Sequence, residues 1–490
     1  MATLCGVLFN TIFCHAQFFD SLQVKTGLET RFSSEKYQPL WLVANRYGTI
    51  ADRKADIIPY IRVYNKHVLA QQEYANDQGF YDDHDFALSY GLSIYNNNHL
   101  GSTIIEEGYA KLEYKNWSLR AGRFEENIDD LDTRLSSGSL GVSRNALPIP
   151  KVGIAVTEYT NIPFTGGWLQ FKGTFAHGWL GANRYIKNSF YHEKTFFLRV
   201  GPGNFKLYGG IQHFVEWGGE TGGQQSGNFL KNFWNVVFAK GLDGSNSGAD
   251  DKVHTGDQRG VLEGGFYWDN EVASLHGYLQ KPFEGKNDIN PRNKNMLAGV
   301  ILSFKHKEAG LQKILVEVIS TKGIDDHIAS AKRESLYNNN FYKTGWEYHN
   351  NIIGTPLFIN RVRANDYFPE IQPFGWGLQD LTIPGNANIV NNMVFGVHTG
   401  VSYSAIDMFS GRTLVTYTRN YGSIQDNQFF SPSKYQFYCL QEISCNINQK
   451  NLLLTAGLGY DFGELSNNIG GMLGIEWNIP IHKDPDHFYW

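Results

Sequence analysis

No apolar run among these 490 residues approaches the roughly 18 residues that a helix needs to cross a bilayer, which argues against a helical membrane protein. Cysteine is scarce, four residues in all, and only Cys439 and Cys445 lie beyond the first 14 positions. Those two stand six apart on what reads as one strand, roughly 20 Å if extended, too far for a mutual disulfide. A net charge of −5 and the lack of a basic stripe interleaved with aromatics exclude nucleic acid as a partner. The chain has no Gly-x-Ser-x-Gly elbow and no His-Glu-x-x-His pair, and His192-Glu193 is not followed by the second histidine of a zinc helix. The carboxylate pairs Asp129-Asp130 and Asp325-Asp326 are adjacent within loops, and nothing sets either pair across a substrate. The sequence therefore predicts no enzyme, no metal and no cofactor.

What the chain has is aromatics at 14%, 52 glycines and a mean hydropathy of −0.35. Transmembrane barrels produce this mixture, because each strand is half apolar and the rims are aromatic. The stretch from Tyr109 to Phe124 shows the pattern most clearly. Across a two-residue turn at Lys115-Asn116, Tyr114 falls opposite Trp117 and Leu112 opposite Leu119, so the apolar side chains share one face. Lys111 with Arg120 and Glu113 with Ser118 share the other.

The hairpin pattern recurs. Phe196, Leu198 and Val200 return as Phe205, Leu207, Ile211 and Val215, with Arg199, Lys206, Tyr208 and Gln212 opposed. Leu262, Phe266 and Trp268 return as Ala273, Leu275 and Leu279; Ala298, Val300, Leu302 and Phe304 return as Ile314, Val316 and Val318. Leu452 to Tyr460 precede Leu473 to Ile481 in the same way. Short turns alternate with long segments at approximately 126–150, 177–194, 218–259, 281–295 and 321–392, and a soluble sandwich has no reason to segregate them. The fold class predicted is all-β, a transmembrane antiparallel barrel of 16 to 18 strands by length, roughly. Residues 1–16 read as a signal peptide, with an apolar Leu4–Phe13 and a small residue before Gln17, and 17–490 as the barrel. Within 227–240, Phe229, Leu230, Phe233, Val236 and Val237 predict a helix packed into the barrel mouth as a lid, with a position outside the lumen as the alternative.

Several segments together resemble the Wzi family of capsule assembly proteins, in the form common in Bacteroidetes. They are Gln38 to Asn45 with Tyr47-Gly48, Gly138 to Pro150, Tyr191 to Lys194, Gly209 to His213 with Glu216 to Gly219, Gly345 to Tyr348, and Ile353 to Leu357. The resemblance implies an outer-membrane barrel of about eighteen strands, its lumen filled. It implies a non-enzymatic surface lectin of a Gram-negative cell that holds capsular or exopolysaccharide, with capsule export machinery as a further partner. Strand-like sequence from Gln23 leaves no room for the periplasmic helical bundle that some members carry before the barrel. A porin or nutrient channel is the competing reading.

Sugar polymers are held by aromatic faces and by amide, carboxylate and guanidinium groups. The segment 177–194 offers Trp179, Asn183, Arg184, Tyr185, Tyr191 and His192 as carbohydrate-binding candidates, and 337–350 offers Tyr337, Asn339, Tyr342 and Trp346. Tyr208, Gln212 and Glu216 are expected to form a hydrogen-bond network in the lumen. His213 lies three residues from Glu216 on the opposite face. Arg134, Arg144, Lys151, Arg184 and Lys187 make the loops locally basic, suited to steering an acidic polymer.

Overall fold

The hairpin at Ser102–Tyr114 (β4) and Trp117–Arg123 (β5) takes the register its alternation demands. Tyr114 pairs with Trp117, Glu113 with Ser118, Leu112 with Leu119 and Lys111 with Arg120. Leu112, Tyr114, Trp117 and Leu119 are exposed on the outside while Ser118 and Arg120 are buried inside. A one-residue slip would turn every one of these side chains to the wrong face, so the pattern admits a single pairing.

The same rule builds the rest. In the computed structural model the other strands are Gln23–Ser33 (β1), Ala55–Asn76 (β2), Gly79–Asn97 (β3), Lys151–Asn161 (β6), Leu169–Gly181 (β7), Ser189–Val200 (β8) and Phe205–Trp217 (β9). Then come Asp257–Asp269 (β10), Ala273–Phe283 (β11), Met296–Phe304 (β12), Gly310–Ser320 (β13), Val394–Ala405 (β14), Phe409–Ser423 (β15), Gln428–Ile447 (β16), Leu452–Gly463 (β17) and Asn468–Ile479 (β18). They form one 18-stranded antiparallel sheet, closed by pairing of β1 with β18, so that no edge is left for lipid to desolvate. The structure describes residues 22–76, 79–221, 224–225, 228–240, 255–290, 292–305, 310–323, 335–367, 388–405, 408–424, 428–447 and 451–479. The segment expected to be a signal peptide lies outside them.

Connections segregate by end. Short turns such as 115–116, 201–204 and 270–272 lie at one end, and the chain leaves and re-enters the wall at the other end for the long connections after β1, β5, β9 and β13. One expected loop is corrected: most of 177–194 is strand, and only residues 182–188 connect β7 to β8. His177, Trp179, Tyr191 and His192 therefore occupy register positions, not loop positions. Outside, aromatics mark both rims, with Trp117, Trp268 and Trp477 towards the turn end and Phe32, Tyr435 and Trp179 towards the loop end. No helix among the described residues is long and apolar enough to cross a membrane.

The lumen is filled with protein. Segments 34–54, with the short helix Leu40–Val43 (α1), 124–150, 335–367 and 388–393 fold inward, and their Leu40, Trp41, Leu135, Leu140, Trp346, Leu357 and Phe358 form one buried cluster with wall residues such as Phe197, Phe214 and Leu315. The wall presents polar side chains that the plug satisfies. Glu317 accepts from the Ser136 hydroxyl at 2.7 Å and the Ser137 amide at 2.8 Å. Gln280 donates to Ser139 and Glu263 at 3.1 and 3.0 Å and accepts from the Leu140 amide at 2.9 Å.

The predicted helix is real, spanning Phe229–Val237, but it is not a lid. It lies on the outside of the barrel. Val236 packs with Val215 and Trp217, which occupy outward positions of β9, while Phe233 meets His177 on β7 and Phe229 meets Phe190 on β8. Of the expected apolar stripe, Val236 is buried and Phe233 and Val237 half-buried against the outward aromatic surface of the wall, while Phe229 and Leu230 stay exposed.

Candidate functional site

Two faces of the plug are clasped together by the segments with the most distinctive sequence. The Trp346 indole donates to the Gly141 carbonyl at 2.7 Å, the Tyr337 hydroxyl donates to the Leu140 carbonyl at 2.7 Å, and the Asn145 amide donates to the Ile352 carbonyl at 2.9 Å. Ion pairs then fix the plug to the wall. Lys151 reaches Glu193 at 2.8 Å and also Glu126, Lys172 reaches Asp130 at 2.5 Å, and Lys313 reaches Asp132 at 2.7 Å. The expected lumen residues sit within this array. Tyr208 donates to Glu263 at 3.1 Å, Gln212 donates to Glu263 at 3.0 Å, and Glu216 pairs with Arg184.

At the loop end the plug leaves a cleft of about 410 Å³ lined by Asp52, Arg53, Asn97, Asn98, Asn145, Asn350, Asn351, Asn360, Arg363 and Asp366. Two tips in left-handed backbone conformation border it. His349 and Asn350, at φ 50° and 65°, form the two-residue turn between the paired Glu347-Tyr348 and Asn351-Ile352. Asn98, His99 and Leu100, at φ 58°, 55° and 64°, connect β3 to β4, with the Asn98 and His99 amides held by the Asp56 carboxylate at 2.8 and 2.7 Å. Non-glycine residues held in this region are strained, and such strain gathers at binding surfaces. Beneath the first tip, burial raises the Glu347 carboxyl above its ordinary range, although Asn360 and Asn388 donate to it at 2.7 and 2.5 Å. Burial likewise raises Asp52, which accepts from the Gln38 amide at 2.7 Å and faces Arg363. Side-chain amides, carboxylates and guanidinium groups in one concavity are the donors and acceptors that vicinal hydroxyls require.

The sequence profile of the capsule assembly protein Wzi family matches residues 59–360. The chain belongs to the Wzi family. Among curated proteins no sequence matches it. Among solved structures it is similar to Escherichia coli Wzi, described as an outer-membrane protein involved in group 1 capsule assembly and as a carbohydrate-binding β-barrel. The TM-score is 0.57 at 12% identity, covering 97% of this chain and 88% of that one. Pseudomonas aeruginosa OccK5 (OpdH) gives a TM-score of 0.47 at 9% identity, covering 94% and 98% of the two chains. This Wzi-family chain has the fold of an outer-membrane barrel, 18 antiparallel strands around a filled lumen.

The family segments quoted from the sequence converge in the plug and its seat. Trp41, Gly141, Tyr191, Gln212, Trp346 and Leu357 all meet in or beside the same buried core. Of the ten carbohydrate candidates, Asn183 is exposed and Tyr185 half-buried on the short loop-end connection between β7 and β8. Arg184 is buried and ties that connection to the cleft hairpin, donating to the Glu347 carbonyl at 2.9 Å. Tyr191, Tyr337, Asn339, Tyr342 and Trp346 are buried among plug and wall. Trp179 and His192 lie on the outer face, His192 beneath the helix. Sequence reasoning missed the cleft itself, although the runs Asn96-Asn97-Asn98 and Asn350-Asn351 were visible signals. Of the basic residues, Arg144 stacks on Tyr47, 4.9 Å from the ring centre, and Arg134 lines a turn-end cavity of about 390 Å³. Among the described residues, Glu106, Glu107 and Glu125 could together face a cation, but Arg62 already reaches the latter two at 3.3 and 2.8 Å.

Proposed function

We propose that this Wzi-family barrel is a non-enzymatic surface lectin that holds capsular or exopolysaccharide on the outside of the cell. The observation that carries the reading is the pairing of a lumen filled by its own loops with an amide-rich cleft at the loop end. The buried cluster of plug and wall residues in the lumen favours this reading over the competing porin reading. The carbohydrate-binding activity of E. coli Wzi supports the same assignment. The polymer lies across the cleft, with Asn183 and Tyr185 as outer contacts. Arg184, Tyr191, Tyr337, Asn339, Tyr342 and Trp346 hold the surface that presents them. The outer wall meets outer-membrane lipid, and the turn end is the side on which capsule export machinery would dock.

The test uses Arg53→Ala combined with Asn350→Gly, since glycine keeps the left-handed turn that alanine would strain. Binding of purified capsular polysaccharide and capsule retention by cells should fall at least about tenfold, the scale set by losing two polar contacts, with the heat-dependent gel shift of the folded barrel unchanged. Unaltered retention by a folded variant would overturn the placement of the site.

A further inference from the structure

The helix Phe229–Val237 (α2) has apolar residues on both sides. Its inner face is occupied: Val236 is fully buried, Phe229 stacks on Trp217 at 5.3 Å, and Phe233 meets His177 at 5.4 Å. Its outer face presents Leu230, Trp234 and Phe238, which are 66%, 53% and 67% exposed. Lys231, Asn232 and Asn235 give the helix a polar side, and an apolar flank left exposed beside it calls for cover by protein or by lipid. By sequence the flanking segments are polar. Residues 222–227 contain no apolar side chain, and 241–254 contain Leu242, Ala249 and Val253 among Gly, Ser, Asn and Asp.

What lies beneath the helix decides between lipid and water. On β7, β8 and β9 the outward positions run apolar from the turn end and then become His177, His192, Lys194 and His213. Those four polar residues sit where the lipid-facing wall would otherwise continue. The helix covers them, and the Lys194 ammonium donates to the Val237 carbonyl at 2.5 Å, closing the helix C-terminus with a cation. The wall's apolar surface is thereby restored one layer further out. Beside the helix lies an outer-wall cavity of about 180 Å³, with the rings of Trp179, Phe190, Trp217 and Phe229 on one side and Asn188 and Glu220 at its loop end.

We propose that α2 is embedded in the outer leaflet as a second layer of the barrel's lipid-facing wall. Leu230, Trp234 and Phe238 contact acyl chains, and the cavity beside Phe229 seats one of them. This inference does not depend on the lectin reading, because it concerns the outside of the wall and not the loop-end cleft.

The experiment attaches a nitroxide at Leu230→Cys or Phe238→Cys, in full-length protein with its four native cysteines changed to serine, reconstituted in phospholipid vesicles. Collision with oxygen should exceed collision with a water-soluble nickel chelate to the same degree as for a label at Leu473→Cys on the bare wall. A label at Phe164→Cys, in a turn, gives the aqueous reference. Nickel accessibility matching Phe164→Cys would overturn the proposal. So would low accessibility to both reagents, meaning protein cover, or spin–spin broadening that vanishes on dilution with unlabelled protein, meaning contact between copies. Trp234→Asp should in addition weaken barrel insertion into vesicles, whereas Asn183→Asp, at the solvent-facing loop end, should not.

Discussion

Arg184, on the short connection after β7, grips Glu216 of β9 at two points, Nε to Oε1 at 2.9 Å and Nη2 to Oε2 at 2.5 Å, with both side chains 2% exposed. The same guanidinium donates to the Glu347 carbonyl, so one residue joins the wall, the rim and the hairpin that borders the cleft.

Removing one half of this pair strands the other as a buried charge, which costs about 3–5 kcal/mol, whereas removing both is far milder. Arg184→Met should therefore lower barrel stability strongly, and Arg184→Met with Glu216→Met should recover most of the loss. Denaturant unfolding of vesicle-inserted protein reads both. Equal destabilisation by the single and double variants would contradict the paired-charge account.

Glu347 gives a pH dependence of definite sign. Its carboxyl is raised above the ordinary value by burial, so the folded state binds a proton more readily than the unfolded one. Stability contributed by this group is present at pH below the raised value and declines as pH climbs through it. Glu347→Gln carries no such charge, so the wild type should lose stability relative to the variant as pH rises from the ordinary carboxyl range through the raised value. Parallel thermal midpoints across that range would refute the assignment.

Gly141 tests the seating of the plug. A Cβ there would lie 2.6 Å from the Gln212 side-chain oxygen and 3.0 Å from the Phe214 ring, so any larger residue pushes plug from wall. Gly141→Val should destabilise by about 1–3 kcal/mol, the usual scale of overpacking. The variant should also pass more ions than the native barrel, measured as single-channel current in planar bilayers.

Conductance also separates plugged barrel from porin directly. The intact chain should show no steady open pore, and replacing residues 336–358 with a glycine-serine linker should produce one. A stable conductance from the unaltered protein would restore the channel reading.

The fold was legible where side chains alternate with period two. Leu112, Tyr114, Trp117 and Leu119 announced both the hairpin and its outward face, and Arg120 and Ser118 between them announced the lumen. The site was far less legible. Tyr342 and Asn183 look equally suited to a sugar in the sequence, yet one is wholly buried and the other exposed. In a plugged barrel, loop residues that fill the lumen must be as polar and aromatic as loop residues that meet a ligand, because the wall they pack against is itself hydrogen-bonding. The helix was found by its 3.6-residue period, which states that one face is covered but not by what. Trp234 and Phe238, which extend the apolar surface beyond that stripe, were the overlooked sign of a second apolar flank.

By itself the sequence determined the closed antiparallel sheet, its register and the segregation of short turns from long connections. Local alternation across a two-residue turn leaves only one pairing that keeps charge out of lipid. Tertiary structure alone decided which connections enter the lumen, that α2 lies against the outside of β7 to β9, and that scattered asparagines meet in one cleft. Those outcomes depend on contacts between residues far apart in the chain, where the matching of shape and of hydrogen-bonding partners, rather than any local period, selects the arrangement.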